Sequence, residues 1–282
     1  MKVGIIIKPG IKGAVGVLED MAQYLKRKGT EVIVDTHVLK DPDVMVTSRK
    51  DLVRQVDAVV VLGGDGTMLS ACRLAGPAGV PVLGVNLGGL GFITETKINE
   101  WQEAIDRLLS GDYQVEERMM LEALLEGPEE ESVRVHVLND VVITKGALAR
   151  IIDLEVLVDG TLINTYKADG LIISTPTGST AYNLSAGGPI VHPQVPCIVV
   201  TPICPHTLTN RPIVLSDSEV ISIRLISKTE DVFVTFDGQL GYAFTDSHKL
   251  TVRASEFRTK LILPRTRDFF SVLREKLNWG VR

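Results

Sequence analysis

The sequence is poor in cysteine and has no long apolar run. Its three cysteines, Cys72, Cys197 and Cys204, are odd in number and lack zinc-ligand spacing, so we expect reduced thiols rather than disulfides. No stretch approaches the roughly 18 consecutive apolar residues of a membrane-spanning helix. The apolar run at the N-terminus is too short for a signal peptide. These absences predict a soluble, cytoplasmic protein with no membrane partner.

Positive charge is not in excess either. The chain has 30 lysines and arginines against 35 aspartates and glutamates, a net charge of −5, which argues against a surface that binds nucleic acid. The five histidines are scattered, so a histidine metal site is not expected and metal ligands stay unassigned. With 282 residues the chain is longer than one average domain needs, and two lobes are expected.

Residues 1–115 alternate strand-like and helix-like patterns. Buried strands are predicted over 3–7, 57–62 and 80–85, and residues 14–25 carry apolar side chains at helical spacing. This alternation predicts a parallel sheet covered by helices, a Rossmann-like α/β lobe. Ligands of such sheets bind beyond the carboxyl ends of the strands. A further helix is predicted after Asn99, which would serve as its N-cap.

From residue 116 to residue 263 the helical period almost disappears. Short β-rich runs are separated by turn residues, which predicts an all-β, β-sandwich-like lobe. Asp159-Gly160 predicts a tight hairpin, and Asp237-Gly238 gives the same signal more weakly. Residues 264–282 are expected to form a helix that packs back on the first lobe.

A glycine-rich turn follows the valine-rich strand of the first lobe. The run Gly63-Gly64-Asp65-Gly66-Thr67 lets the backbone approach a ligand closely, and a helix is predicted to begin at Met68. Amides at the start of a helix favour an anion such as phosphate. The alternative is a tight strand-to-helix connection in which Asp65 or Thr67 caps the helix. The position of the turn at the end of a buried strand favours a phosphate site.

The second lobe contains a segment rich in uncharged polar groups. From Ser174 to Ser185 it carries six serines and threonines, with a tyrosine and an asparagine. A plain surface loop could explain part of this composition. Because apolar strands flank the segment, we favour a loop that binds a nucleotide.

Asn139-Asp140 interrupts another apolar pattern. Buried polar side chains without partners cost roughly 1–3 kcal/mol each. The pair therefore either forms a turn between two short strands or binds a polar ligand.

Taken together, Leu62–Thr67, Asn139-Asp140, Ala168–Pro189 and Thr201–Pro212 resemble the NAD kinase family, the ATP- or polyphosphate-dependent enzymes that make NADP. The resemblance extends from Gly63 to Gln239. It implies an N-terminal α/β lobe and a C-terminal β lobe with the active site between them, and a homodimer or homotetramer. The glycine turn alone is less specific, because diacylglycerol-type lipid kinases have a similar one.

The resemblance also implies roles for individual residues. Asp65 would be the proton acceptor, and the donor phosphates would bind at Gly63, Gly64, Gly66 and Thr67. Asn139 and Asp140 match the Asn-Glu pair that holds the ribose and adenine of NAD. Further contacts with the dinucleotide are implied for Gly66, Arg150, Lys167, Asp169, Thr180, Ala181, Tyr182, Asn183, Leu184, Ser185, Cys204 and Gln239.

The chemistry implied is attack of the adenosine 2′-hydroxyl of NAD on the terminal phosphoryl group of ATP or polyphosphate. Asp65 would orient this hydroxyl and take its proton. A divalent ion, Mg²⁺, is expected to neutralise the donor phosphates. The chain departs from the family pattern in having Asp140 for Glu, Cys204 for Ala, and Gly89 where an arginine is common.

Two other functions fit parts of the sequence. A diacylglycerol-type lipid kinase would share the glycine turn but would need an apolar acceptor pocket and a membrane-binding surface. A non-catalytic NADP-binding regulator could retain the fold, although it would have no need for Asp65.

Overall fold

The computed structural model describes residues 1–8, 10, 13–39, 41–89, 91–128, 131–146, 150–228, 231–263 and 268–279. The chain divides into two compact units: unit 1 is Met1–Glu117 with Arg258–Arg282, and unit 2 is Arg118–Phe257. The lobe limits drawn from the sequence, 1–115 and 116–263, stay predictions.

Unit 1 is an α/β structure. Its strands and helices are β1 Lys2–Ile7, α1 Ala14–Arg27, β2 Glu31–Val34, β3 Met45–Val46, α2 Arg49–Leu52, β4 Ala58–Gly63, α3 Asp65–Ala78, β5 Val82–Asn86, β6 Thr96–Lys97, α4 Trp101–Ser110 and α6 Phe269–Leu277. β5, β4, β1, β2 and β3 pair in that order, all in parallel, and β6 extends the sheet beside β5. The predicted α/β lobe is confirmed.

The carboxyl ends of the three central strands lie level with one another. Ile7 pairs with Leu62, and Leu62 pairs with Val85. Every residue of β4 is buried, as expected for a strand covered on both faces. The residues that follow these strands therefore meet at one edge of the sheet.

Three helix starts differ from the sequence-based expectation. Asn99 is not the N-cap of α4: residues Ile98–Glu100 form a 3-10 turn, and α4 begins at Trp101. α3 begins at Asp65 rather than Met68, because Gly64 already has the extended backbone of an N-cap. α6 begins after Asp268, whose carboxylate accepts the Ser271 N–H at 2.9 Å. Of the predicted helix over 264–282, residues 264–267 and 280–282 lie outside the described part.

Unit 2 is built from antiparallel strands. They are β7 Gln114–Glu126, β8 Ser132–Val137, β9 Asp140–Lys145, β10 Ile152–Val158, β11 Thr161–Ala168, β12 Gly170–Ser174, β13 Cys197–Ile203, β14 Ile213–Ser216, β15 Ile221–Leu225, β16 Val232–Phe236, β17 Leu240–Ala243 and β18 Lys249–Leu263. One sheet has the order β14-β13-β12-β9-β16-β17, and in the other sheet β11, β10, β15 and the first part of β18 are neighbours in that order. The division between the units falls within β7 and within β18.

The two sheets of unit 2 share one core. Inward side chains such as Leu171 and Ile173 of the first sheet pack in the same buried cluster as Leu154 and Val156 of the second. This is the predicted sandwich-like packing. The lobe is mostly β rather than all β, because it also contains a 3-10 turn at Thr177–Thr180 and the short helix α5, Tyr182–Ser185.

Both hairpin predictions are confirmed. Asp159 and Gly160 connect β10 to β11 with φ angles of 48° and 78°, and Asp237 and Gly238 connect β16 to β17 with φ angles of 51° and 62°. These left-handed conformations match the twist of the flanking strands. In the described part of the chain, the helices are all too short or too polar to cross a membrane.

Candidate functional site

The glycine turn of unit 1 joins a buried strand to a helix. β4 ends at Gly63, Gly64 is the N-cap of α3, and Asp65 is the first residue of that helix. A Cβ on Gly63 would lie 2.5 Å from the hydroxyl oxygen of Thr67, so no side chain fits there. Packing within the protein therefore explains why residue 63 is a glycine.

Gly64 is different from its neighbour. A Cβ on Gly64 would have no described heavy atom within 4 Å, and its φ of −123° is open to any residue. Neither packing nor backbone conformation in the described chain requires a glycine here. Open space beside the first turn of a helix is what a closely approaching anion needs, because amides at that end point outward.

The Asp65 carboxylate is held by the segment that follows β5. Its Oδ2 accepts the N–H of Phe92 at 2.8 Å, and its Oδ1 accepts the N–H of Ile93 at 3.3 Å and the hydroxyl of Thr94 at 2.7 Å. Gly91 packs against the same group, since a Cβ there would lie 2.0 Å from Oδ1. Unit 1 by itself therefore fixes the orientation of this acid.

The loop after β5 begins at Asn86. The Asn86 side chain accepts the Gly88 N–H at 2.8 Å and donates to the Thr94 carbonyl oxygen at 3.4 Å. Gly89, the position where the family often has arginine, has open space around a Cβ, with no described atom within 4 Å. Leu90 lies outside the described residues. A larger side chain at position 89 would therefore displace no described atom.

In unit 2, Asn139 lies in the link from β8 to β9, and Asp140 is the first residue of β9. The backbone N–H groups of Leu138, Asn139 and Asp140 donate to the Asp237 carboxylate at 3.2, 2.8 and 3.3 Å. The Asp237 N–H in turn donates to the Asp140 carbonyl oxygen at 2.9 Å. The expected turn between two short strands is present, and an acid that the sequence reading did not select holds its backbone.

A pocket of about 360 Å³ opens beside this link. Asn139, Asp140, Ala181, Tyr182 and Thr235 are among the residues that line it. Four of these five residues were assigned to the dinucleotide site by the family resemblance. Thr235 was not. A pocket of this size with a few polar groups on apolar strands suits part of a nucleotide.

Asp140 is one of two buried acids that line this pocket, with 5% of its surface exposed, and Asp237 is the other. Burial, with a further contribution from the negative charge of Asp237, raises the pKa of Asp140 to about 7. A carboxylic acid that keeps its proton near neutral pH can donate a hydrogen bond as well as accept one. Asp140 is therefore suited to a ligand that presents both hydroxyl groups and ring nitrogens.

We expect Asp140→Asn to stabilise the ligand-free protein more at pH 8 than at pH 5. The folded pKa of about 7 lies above the ordinary 3.8, so between these values the folded state binds more protons than the unfolded state. Stability then falls as the pH rises through this window. Asparagine has no proton to lose, and its advantage should grow by about 2–3 kcal/mol from pH 5 to pH 8.

Urea unfolding at the two pH values measures this difference. Asp246→Asn, at an exposed aspartate of the same unit, is the matched control. An Asp140→Asn effect of equal size at pH 5 and pH 8 would contradict the prediction.

Much of the hydroxyl-rich segment faces inward. Ser174, Thr175 and Ser179 are fully buried. The Thr175 hydroxyl donates to the Leu138 carbonyl oxygen at 2.6 Å, and the Ser179 hydroxyl donates to the Pro176 carbonyl oxygen at 2.6 Å. The hydroxyl density that suggested a nucleotide loop therefore has an internal cause at these positions, because the tight turn needs side-chain partners for its backbone.

Asn183 also serves the loop itself. Its Nδ2 donates to the carbonyl oxygens of Ser179 and Pro189, both at 3.0 Å, and its Oδ1 accepts the Thr201 hydroxyl at 2.6 Å. The residue is completely buried. These bonds give Asn183 a role in holding the loop, and its contact with a dinucleotide stays a prediction.

The rest of the segment is more accessible. Tyr182 is 43% exposed at the rim of the pocket. Ser185 is exposed, Leu184 is half-buried, and the hydroxyl of Thr180 donates to the Thr177 carbonyl oxygen at 3.3 Å. Of the predicted segment 180–185, Ala181 and Tyr182 are the residues that line the pocket.

Other residues implied by the resemblance lie outside this pocket lining. Asp169 forms an ion pair with Lys145 at 3.6 Å, and the Gln239 N–H closes the Asp237-Gly238 turn on Phe236 at 3.0 Å. Three more of the implied residues are exposed in unit 2 and do not line this pocket: Arg150, Lys167 and Cys204. Their proposed contacts stay predictions.

Two groups of site residues were missed from the sequence. Asp237 was interpreted as part of a hairpin turn within the family resemblance and was given no role of its own, because an aspartate is common before glycine in such turns. Phe92, Ile93 and Thr94, which hold Asp65, follow a glycine-rich loop. Thr94, a polar residue directly after two apolar ones, is the signal that could have identified them.

No group of three or more histidine, cysteine, aspartate or glutamate side chains suited to a metal ion occurs among the described residues. The carboxylate nearest the glycine turn, Asp65, is already engaged by three donors. The described residues of unit 1 therefore offer no ready protein cage for Mg²⁺, which commonly binds through substrate phosphates and water.

Comparison with protein families gives two matches that together span most of the chain. The ATP-NAD kinase N-terminal domain matches residues 3–113, and the ATP-NAD kinase C-terminal domain matches residues 138–263. Among curated relatives, the NAD kinase of Geotalea daltonii is 52% identical over 282 residues, covering 100% of this chain and 99% of the relative. The NAD kinase of Geobacter metallireducens is 50% identical over 281 residues, with the same coverage.

Solved structures agree with these matches. Yeast NADH kinase complexed with NADH superposes with a TM-score of 0.92 at 29% identity, covering 100% of this chain and 89% of that one. An NAD kinase from Archaeoglobus fulgidus in complex with ATP has a TM-score of 0.78 at 26% identity, covering 99% of each chain.

Proposed function

Because this chain belongs to the NAD kinase family, whose members are phosphotransferases, we propose that it transfers the terminal phosphoryl group of ATP to NAD. The acceptor is the 2′-hydroxyl of the adenosine ribose, and the product is NADP. The observation that carries this proposal is the fixed Asp65 carboxylate at the first residue of α3, beside the open space at Gly64.

The donor phosphates bind at the glycine turn in this proposal. Gly64 leaves room for the backbone to approach them, while Gly63 lets the turn pack over Thr67. Backbone amides at the start of α3 stabilise the charge on the transferred group. Mg²⁺, held by the donor phosphates, neutralises part of their charge when it is bound.

The dinucleotide is held by the pocket of unit 2. Asn139 and Asp140 provide polar groups for the ribose and adenine, and Tyr182 provides a ring at the rim. Asp237 fixes the backbone that carries the first two of these side chains. The further contacts implied for Arg150, Lys167, Asp169, Cys204 and Gln239, and an active site shared by the two lobes, stay predictions.

Asp65 acts as the proton acceptor. It receives the proton of the 2′-hydroxyl as the ribose oxygen attacks the terminal phosphorus, and positioning provides most of the remaining catalysis because the transition state is loose. We also propose a cytoplasmic location and a homodimer or homotetramer. In the described chain Cys72, Cys197 and Cys204 form no disulfide, which suits the reducing cytoplasm.

The test is an assay with purified protein, Mg²⁺ and NAD, to which either ATP or polyphosphate is added. We expect NADP from ATP, measured with an NADP-specific dehydrogenase. Absence of NADP with both donors would overturn the proposal. Tight NADP binding without turnover would favour a regulator, and phosphorylation of diacylglycerol vesicles would favour a lipid kinase.

A further inference from the structure

The two oxygens of the Asp65 carboxylate are occupied unequally. Each carboxylate oxygen has about two lone-pair positions. Oδ1 accepts from the Ile93 N–H and the Thr94 hydroxyl, whereas Oδ2 accepts from the Phe92 N–H. With respect to the described residues, Oδ1 is saturated and Oδ2 retains a position for one more donor.

Thr94 is itself held firmly. It is completely buried, and its backbone oxygen accepts the Gly91 N–H at 3.3 Å and the Asn86 side chain at 3.4 Å. Its methyl group lies close to Gly84, since a Cβ on Gly84 would be 2.9 Å from that methyl carbon. A threonine whose backbone and methyl group are held in this way presents its hydroxyl to Asp65 in one position.

We propose that Oδ2 is the atom of Asp65 that takes the proton, and that Thr94 is the positioning residue that presents it. This inference rests on the proposed function. In the step, the O–H bond of the 2′-hydroxyl breaks and its proton moves to a lone pair of Oδ2. The ribose oxygen forms a bond to the terminal phosphorus, and the P–O bond to ADP breaks, leaving its electron pair on the ADP oxygen.

The three donors to Asp65 differ in chemistry, and this difference separates their roles. The amides of Phe92 and Ile93 can only donate, so both suit an ionised carboxylate. The Thr94 hydroxyl completes the occupation of Oδ1, which leaves Oδ2 as the oxygen that can meet the substrate. Without that hydroxyl, Oδ1 would gain an open position and the carboxylate could present either oxygen. Loss of a single productive orientation is expected to slow the chemical step rather than weaken binding.

The experiment compares Thr94→Val with Thr94→Ser. Valine keeps the shape and removes the hydroxyl, whereas serine keeps the hydroxyl. We expect kcat to fall by roughly 10- to 100-fold in Thr94→Val, with KM for NAD and for ATP changed by no more than about twofold because substrate-binding groups are untouched. Thr94→Ser should restore most of kcat. Thr96→Val, a buried threonine two residues further on, is the matched control and should behave as wild type.

A folded Thr94→Val enzyme with wild-type kcat would overturn the proposal, and so would equal losses in the valine and serine variants. If Thr94→Val does not fold, Gly91→Ala provides the test, because its Cβ would lie 2.0 Å from Oδ1 and displace it. Wild-type kcat in Gly91→Ala would then contradict the proposal. Failure of the proposed function is distinguishable, since wild-type protein itself would then make no NADP.

Discussion

Asp65→Asn is expected to reduce kcat for NADP formation by about 10²- to 10⁴-fold, the usual contribution of a positioned general base. The dissociation constant for NAD should change little, because the pocket assigned to the dinucleotide lies on residues of unit 2. Steady-state assays with the coupled dehydrogenase measure the first quantity, and titration calorimetry measures the second.

The substitution should also lower stability. Three donors meet the Asp65 carboxylate, and the NH₂ group of asparagine would face at least one of them. An opposed donor pair in a partly buried site costs about 1–3 kcal/mol. The melting temperature of the variant should therefore be measured together with its kinetics. Asp57→Asn, an exposed aspartate that precedes β4 and accepts the Lys2 N–H at 2.7 Å, is the matched control. Wild-type turnover in Asp65→Asn would show that Asp65 is not the general base.

Gly64→Ala should reduce kcat/KM for ATP by about two orders of magnitude with almost no loss of stability. The new methyl group would meet no described atom and the backbone conformation suits alanine, so the folded protein has no reason to change. It would, however, occupy the space that we propose for the donor phosphates, and displacement by about 1 Å can cost about 10²-fold in rate.

Gly63→Ala provides the contrast. Its Cβ would lie 2.5 Å from the Thr67 hydroxyl oxygen, so this variant should lose stability first, whatever its activity. Melting temperatures and ATP kinetics of both variants separate the two effects. Normal ATP kinetics in Gly64→Ala would place the donor elsewhere.

Much of the fold of unit 1 could be predicted from the sequence. The valine-rich strand at residues 58–63 is buried throughout, and helix α1 covers the predicted positions 14–25. Such long periodic segments are determined by hydrophobic burial. Helix starts were less predictable, because Gly64 and Ile98–Glu100 take backbone conformations that local composition does not specify.

The parts of the candidate site that lie in recognisable sequence motifs were predictable. The glycine turn and Asn139-Asp140 lie where the patterns placed them. The partners of these residues were not predictable, because hydrogen bonds such as those from residues 138–140 to Asp237 depend on tertiary structure. The hydroxyls of Thr175 and Ser179 show the converse: composition suggested a ligand, but the structure uses them to satisfy backbone oxygens.

The Asp237 hydrogen bonds also bear on the order in which the protein folds. They connect residues 97 to 99 positions apart in sequence, whereas the Asp237-Gly238 turn connects adjacent strands β16 and β17. Hairpins form in roughly 1–10 μs, and contacts between distant residues form more slowly because they must first close a long loop. We therefore expect the turn that carries the carboxylate to form before residues 138–140 reach it. On this view the pocket beside Asn139 and Asp140 would be completed late in the folding of unit 2.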